Sequence, residues 1–202
     1  MMMKKVSLLI FTGLLVGCSI LGKEEPLPLY TLKSETFEPT NALSAPLAVD
    51  LPVTEASLNT SRIAVTPAPY QRDYIADGQW PEQLPKVLQV VLLESLGQRW
   101  GGTYVNRVGA GLQAKYILQT EIQDFSVYHI NEGCPEIHQK ITFKLIDLRE
   151  RNVLAAQTFS QTTPALSSTM RGLVEAFNKG LHCLLEQAVP WMEDIFSKRT
   201  RS

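Results

Sequence analysis

Leu84, Val87, Leu88, Val91, Leu92 and Leu96 recur at i, i+3, i+4, i+7, i+8 and i+12, the spacing of one face of an α-helix. Pro81 suits the first turn of that helix, Glu82 complements its N-terminal dipole, and Asp77 or Gln79 offers a cap. Pro85 falls early enough for its missing N–H to cost little, and Gly97 with Gly101-Gly102 ends the helix. Burying six such side chains is worth roughly 9–18 kcal/mol gross, too much to leave in water. The stripe therefore reads as core, with a lipid-binding groove as the alternative. A second stripe, Leu166, Met170, Leu173, Val174, Phe177, Leu181, Leu184, Leu185 and Ala188, predicts a long helix that Pro190 stops.

Between these stripes the period falls to two. Residues 103–108 form one strand and 115–129 another, with Tyr116, Leu118, Thr120 and Ile122 alternating against Gln119, Glu121 and Gln123. Residues 131–135 make a loop. The chain returns over 138–148 with Ile141, Phe143 and Leu145 on one face and Lys140, Thr142 and Lys144 on the other. A turn at 149–152 leads into a further strand over 153–159. Successive strands with short turns predict an antiparallel meander, half covered and half wet. Upstream, residues 29–32, 47–51 and 62–66 are short extended pieces set off by Pro39, Pro46, Pro52, Pro67 and Pro69, and 33–46 reads as loop. Together these elements predict an α+β fold: a two-layer domain in which two amphipathic helices pack on a mostly antiparallel sheet.

The start of the chain has a different character. Lys4 and Lys5 precede an 11-residue apolar run, residues 6–16, and Leu15-Val16-Gly17-Cys18 closes it. This arrangement resembles a bacterial lipoprotein signal peptide and lipobox, with small Gly17 at the cleavage point. Eleven apolar residues are too few to cross a bilayer, which takes about 20. The expected division is a signal peptide over 1–17 and a lipidated N-terminus and tether over 18–29. One domain over 30–192 and a basic tail over 193–202 follow. In such proteins Cys18 carries acyl chains, and more than one chain anchors stably. Ser19 follows the cysteine, the position at which an Asp retains such proteins in the inner membrane. The expectation is the periplasmic face of the outer membrane, with a tether over 19–29 reaching ~34 Å when extended.

Composition adds exclusions. The chain is 45 % hydrophobic and 19 % charged, ordinary for a globular domain. Removing the signal leaves 17 basic against 20 acidic residues, so the basic stripe of a nucleic-acid binder is missing. Gly109-Ala110-Gly111-Leu112-Gln113-Ala114 fits G-x-G-x-x-G/A, but a strand pattern follows where a phosphate-binding helix is required. The glycines read as a hairpin turn. His129, His138, His182, Cys134 and Cys183 match no metal-ligand spacing, and no nucleophile elbow, H-E-x-x-H, C-x-x-C or P-loop occurs. Neither a catalytic residue nor a cofactor is assigned. Cys134 and Cys183 either pair, closing a loop of about 50 residues worth ~4 kcal/mol, or stand as separate thiols. Tyr74, Ile75 and Trp80 lie in the stretch from Tyr70 to Trp80, between Pro69 and Pro81. Either Trp80 staples the first helix to the sheet and the others pack beneath a loop, or Tyr74 and Ile75 belong to a partner-binding face with it.

The lipobox, Tyr30-Thr31-Leu32, Ser61-Arg62-Ile63-Ala64-Val65 and above all the run from Trp80 to Gln89, W-x-x-x-L-P-x-x-L-Q, resemble the ABC-type transport auxiliary lipoprotein family. These are the PqiC-like components associated with Mce-type lipid transporters. Tyr116-Ile117-Leu118, Phe125, residues 155–159 and Trp191 are similar too. The resemblance implies a non-enzymatic lipoprotein working beside an inner-membrane ABC permease, its ATPase and an Mce-domain protein. Such a system moves phospholipid or another lipid between membranes, and a homo-oligomer is compatible with it. The alternative at the same location is an assembly lipoprotein for lipopolysaccharide export or barrel proteins.

Overall fold

The computed structural model describes residues 26–40, 43, 45–110, 113–130 and 135–200. In chain order the elements are β1 (Leu47–Val49), β2 (Val53–Thr54), β3 (Arg62–Thr66), β4 (Asp73–Gln79), α1 (Leu84–Trp100), β5 (Val105–Arg107), β6 (Tyr116–Tyr128), β7 (Glu136–Asp147), β8 (Asn152–Pro164) and α2 (Met170–Thr200).

The long strand β6 organises the sheet. One edge pairs antiparallel with β7 along its length, and β7 pairs antiparallel with β8, as the alternation predicted. The other edge takes β1, β2 and β3 end to end, all parallel to it. β5 pairs parallel on the outside of β1, and β4 pairs antiparallel on the outside of β3. The fold is α+β, but its sheet is mixed. The antiparallel description holds for β6–β8 and for β3–β4, and the short upstream strands join in parallel. The turn expected to be a hairpin around Gly109 is instead part of a crossover, because β5 and β6 lie on opposite edges of β1.

On β7, Ile137, Gln139, Ile141, Phe143 and Leu145 are buried towards the helices, while Lys140, Thr142 and Lys144 alternate to the other face. Helix α1 contributes Leu84, Val87, Leu88, Val91, Leu92 and Leu96 to the same core, so that stripe is packed inside. The helices meet at Trp100 and Phe196, whose rings stand edge to face at 5.8 Å. The extended segment 31–40 straps across both: Lys33 N–H donates to Asn178 Oδ1 on α2 (2.7 Å), and Glu35 N–H to buried Ser95 Oγ on α1 (2.9 Å).

Several boundaries differ from the sequence reading. Residues 73–79, expected as loop, form β4; Asp77 and Gln79 therefore sit in a strand and cap nothing. Helix α1 starts at Leu84 with Pro85 in its first turn, so Pro81 stays outside it. The helix also runs through Gly97 to Trp100. Pro190 does not stop α2, and residues 193–200 are helix rather than a basic tail. A proline inside a helix costs about 3 kcal/mol. Beyond it, fully buried Met192 and Phe196 contribute about 1.5–3 kcal/mol each. Pro190 is on the solvent side, so the Glu186 carbonyl it leaves unpaired lies near water. Burial of the last turns outweighs the break.

Candidate functional site

Val90 falls outside the core stripe of α1, and the fold leaves it on the surface beside two residues from distant segments. Leu51 follows β1 and Val108 follows β5, and strand pairing of β5 with β1 brings both beside α1. Leu51 is 46 % exposed, Val108 48 % and Val90 38 %. With Val87 and Val91 they line an apolar groove of about 630 Å3. Asp50, Glu82, Lys86 and Arg107 stand around it, and Lys86 on the first turn of α1 pairs with Glu82, just before the helix, at 3.1 Å. The wall is held in place by Gln89, whose Nε2–H donates to the Val49 carbonyl at 3.2 Å, tying α1 to β1. Small branched side chains within a charged rim suit an apolar ligand or side chain, with orientation supplied by the rim.

The residues singled out from sequence are distributed otherwise. Trp80 is 2 % exposed and cannot present itself to a partner; this corrects its assignment to a binding face. Its ring is edge-on to Phe177 (5.4 Å) and Phe125 (6.2 Å), and those two stack at 4.9 Å. The cluster joins the approach to α1, β6 and α2, which is the staple reading. Tyr74 and Ile75 are half-buried on β4 and pack against the core. Tyr74 Oη–H donates to the Ser57 carbonyl (3.0 Å), and Arg62 lies 3.9 Å over its ring. None of the three lines the groove. Cys183 is half-buried on α2, while Cys18 and Cys134 lie outside the described residues. His182 Nδ1 stands 2.7 Å from Glu35, and His138 stacks on Tyr128 at 4.0 Å. Among the described residues no group of three or more His, Cys, Asp or Glu side chains is placed to hold a metal. Residues 116–128 are strand, so no helix N-terminus follows the glycines at 109–111.

Two charged clamps fix α2 to the rest of the domain. Glu193 takes both nitrogens of the Arg99 fork (Nε 2.7 Å, Nη2 3.0 Å) and accepts from Trp100 Nε1–H (2.9 Å) and Thr40 Oγ1–H (3.0 Å). Burial pushes the Glu193 carboxyl up. The hydrogen bonds from Arg99, Trp100 and Thr40 outweigh it, and the pKa lies below the ordinary glutamate value. Asp147, at the end of β7, is also pushed up by burial. The N–H groups of Glu150 and Arg149 and the charges of Arg199 and Lys115 bring it below the ordinary aspartate value. Arg199 bridges Asp147 (3.3 Å) and Glu150, fixing the last turn of α2 to the β7–β8 turn.

The profile of the ABC-type transport auxiliary lipoprotein component family matches residues 30–189. No curated protein matches the chain. Among solved structures, a protein of Xanthomonas campestris superposes with a TM-score of 0.75 at 18 % identity, covering 86 % of this chain and 99 % of that one. An uncharacterized protein gives 0.58 at 13 %, over 82 % and 99 %. The PelC dodecamer of Paraburkholderia phytofirmans gives 0.44 at 16 %, over 75 % and 92 %. The first two share the fold of this chain. Matched over most of its length, the chain belongs to the family of ABC-type transport auxiliary lipoprotein components.

Proposed function

We propose that this protein is a periplasm-facing lipoprotein, held at the outer membrane by acyl chains on Cys18. In this reading it serves an Mce-type ABC transport system as a non-catalytic component. The apolar groove between α1 and the Leu51 and Val108 segments carries the proposal. It is an exposed apolar cleft on a family member named for assisting transport. In this role the α+β domain docks the Mce-domain protein, and the inner-membrane permease and ATPase supply the energy. The cargo is phospholipid or another lipid with apolar chains, matching the groove's lining. A homo-oligomer, which would repeat the groove around an axis, belongs to the same proposal.

Affinity capture of the mature protein from membranes, with mass spectrometry of proteins and lipids, tests this reading. Recovery of an Mce-domain protein with its permease supports it. Recovery of barrel-assembly or lipopolysaccharide-export proteins in their place would overturn it.

A further inference from the structure

One end of the sheet carries apolar side chains that pack against nothing. Thr66, Tyr128, Glu136 and Pro164 stand in one row across β3, β6, β7 and β8. The loops beyond that row therefore share an end of the domain. Tyr70, four residues past Thr66, and Leu166, two past Pro164, are fully exposed. Tyr70 has φ 66°, a left-handed backbone that bulky residues rarely adopt, in a turn closed by Gln71 N–H to the Ala68 carbonyl (3.1 Å). A phenol with an apolar body and a polar tip suits a membrane–water interface.

The chain approaches from the direction of this end. Leu29 pairs in parallel with Gln79 of β4, through Tyr30 N–H to Gln79 O (2.8 Å) and Gln79 N–H to Pro28 O (3.1 Å). β4 runs away from the β3–β4 turn, so the segment leading to Leu29 arrives from the turn's side. Leu27 and Leu29 on that segment are exposed as well. Cys18 lies eight positions before Pro26, a reach of at most ~29 Å. Gln79 pairs with Arg62, four residues before Thr66, so Leu29 lies about 13 Å from the Thr66 row, and that row is well within the tether's reach.

We infer that the Tyr70 and Leu166 end is seated on the lipid bilayer that holds Cys18, with both side chains entering its interfacial layer. The inference rests on the proposed acylation of Cys18. It makes the tether short by design of the fold: the domain lies against the membrane rather than swinging free of it. The groove at Leu51, Val90 and Val108, built from β1, β5 and α1, then faces the periplasm along the side of the domain.

The test uses the mature protein purified from membranes and reconstituted in phosphatidylethanolamine–phosphatidylglycerol vesicles containing chain-brominated lipid. Tyr70→Trp, Leu166→Trp and, at the other end of the sheet, Tyr104→Trp share the background of Trp80, Trp100 and Trp191. The fluorescence added by the first two should fall at least about twofold on bromination, and that added by Tyr104→Trp should not change. Equal responses at all three positions, with acyl chains on Cys18 confirmed by mass spectrometry, would overturn the seating alone. A Cys18 without acyl chains would overturn the anchoring and the seating together.

Discussion

Gly180→Ala puts one methyl group where α2 lies tight against the sheet. A Cβ there would collide with Gln139 Oε1 and stand 2.7 Å from Thr163 Oγ1. Gln139 is buried and donates its Nε2–H to the Phe177 carbonyl at 3.0 Å, so it cannot swing aside without losing that bond. Helix propensity alone would favour the alanine by about 1 kcal/mol. Overpacking opposes it by about 1–3 kcal/mol, and a broken buried hydrogen bond adds about 1–3 kcal/mol. The net expectation is a loss of about 1–5 kcal/mol. At ~2–4 °C per kcal/mol for a domain of this size, Tm should fall by several degrees or more. Gly97→Ala is the control: its nearest contact is Gly102 Cα at an ordinary 3.7 Å, and its backbone is helical. That variant should match or exceed the parent by up to about 1 kcal/mol. Both are read by thermal and urea unfolding followed by circular dichroism. A Gly180→Ala protein as stable as Gly97→Ala would refute the close approach of α2 to β7 and β8.

Glu193 and Asp147 both titrate below their unfolded values of about 4.3 and 3.9. Their contribution is complete above those values and disappears as pH falls through the lower folded ones. Tm should therefore decline from about pH 5 towards pH 3, and Glu193→Gln should be less stable at pH 7 with a shallower decline. Trp80→Ala should cost about 3–5 kcal/mol in urea unfolding, as for a buried aromatic residue; a cost below 1 kcal/mol would return Trp80 to the surface. Val90→Asp should leave unfolding unchanged, since the side chain is exposed, but abolish capture of the Mce-domain protein. Cys18→Ser should fold normally and appear in the soluble periplasmic fraction.

The elements that the sequence discloses are those whose pattern is local. β6 and β7 alternate over more than ten residues, and both helices bury a stripe of regular spacing. The parallel pairing of β1, β2 and β3 along β6 was not legible, because it joins residues about 60–70 apart and leaves no local periodicity. β4 was hidden by its composition: Asp73, Asp77 and Gly78 weaken the alternation, and Gly78 is there because the Tyr30 ring fills the place of its side chain. Proline signals misled at Pro190, where the buried residues beyond it decide the outcome. The groove escaped detection because Leu51, Val90 and Val108 come from three segments and each looks ordinary alone. One signal was present: the run Val87-Leu88-Gln89-Val90-Val91-Leu92-Leu93 is more apolar than one helix face requires, which points to a second apolar surface on α1. Trp80, by contrast, was conspicuous and turned out to be core.

Site-specific photo-crosslinking in the native membrane tests the docking claim most directly. A photoreactive residue at Val90, in the groove, is compared with one at Thr158, on exposed β8. The account predicts that Val90 captures the Mce-domain protein or its lipid cargo and that Thr158 does not. Crosslinks to that protein from Thr158 with none from Val90 would contradict it.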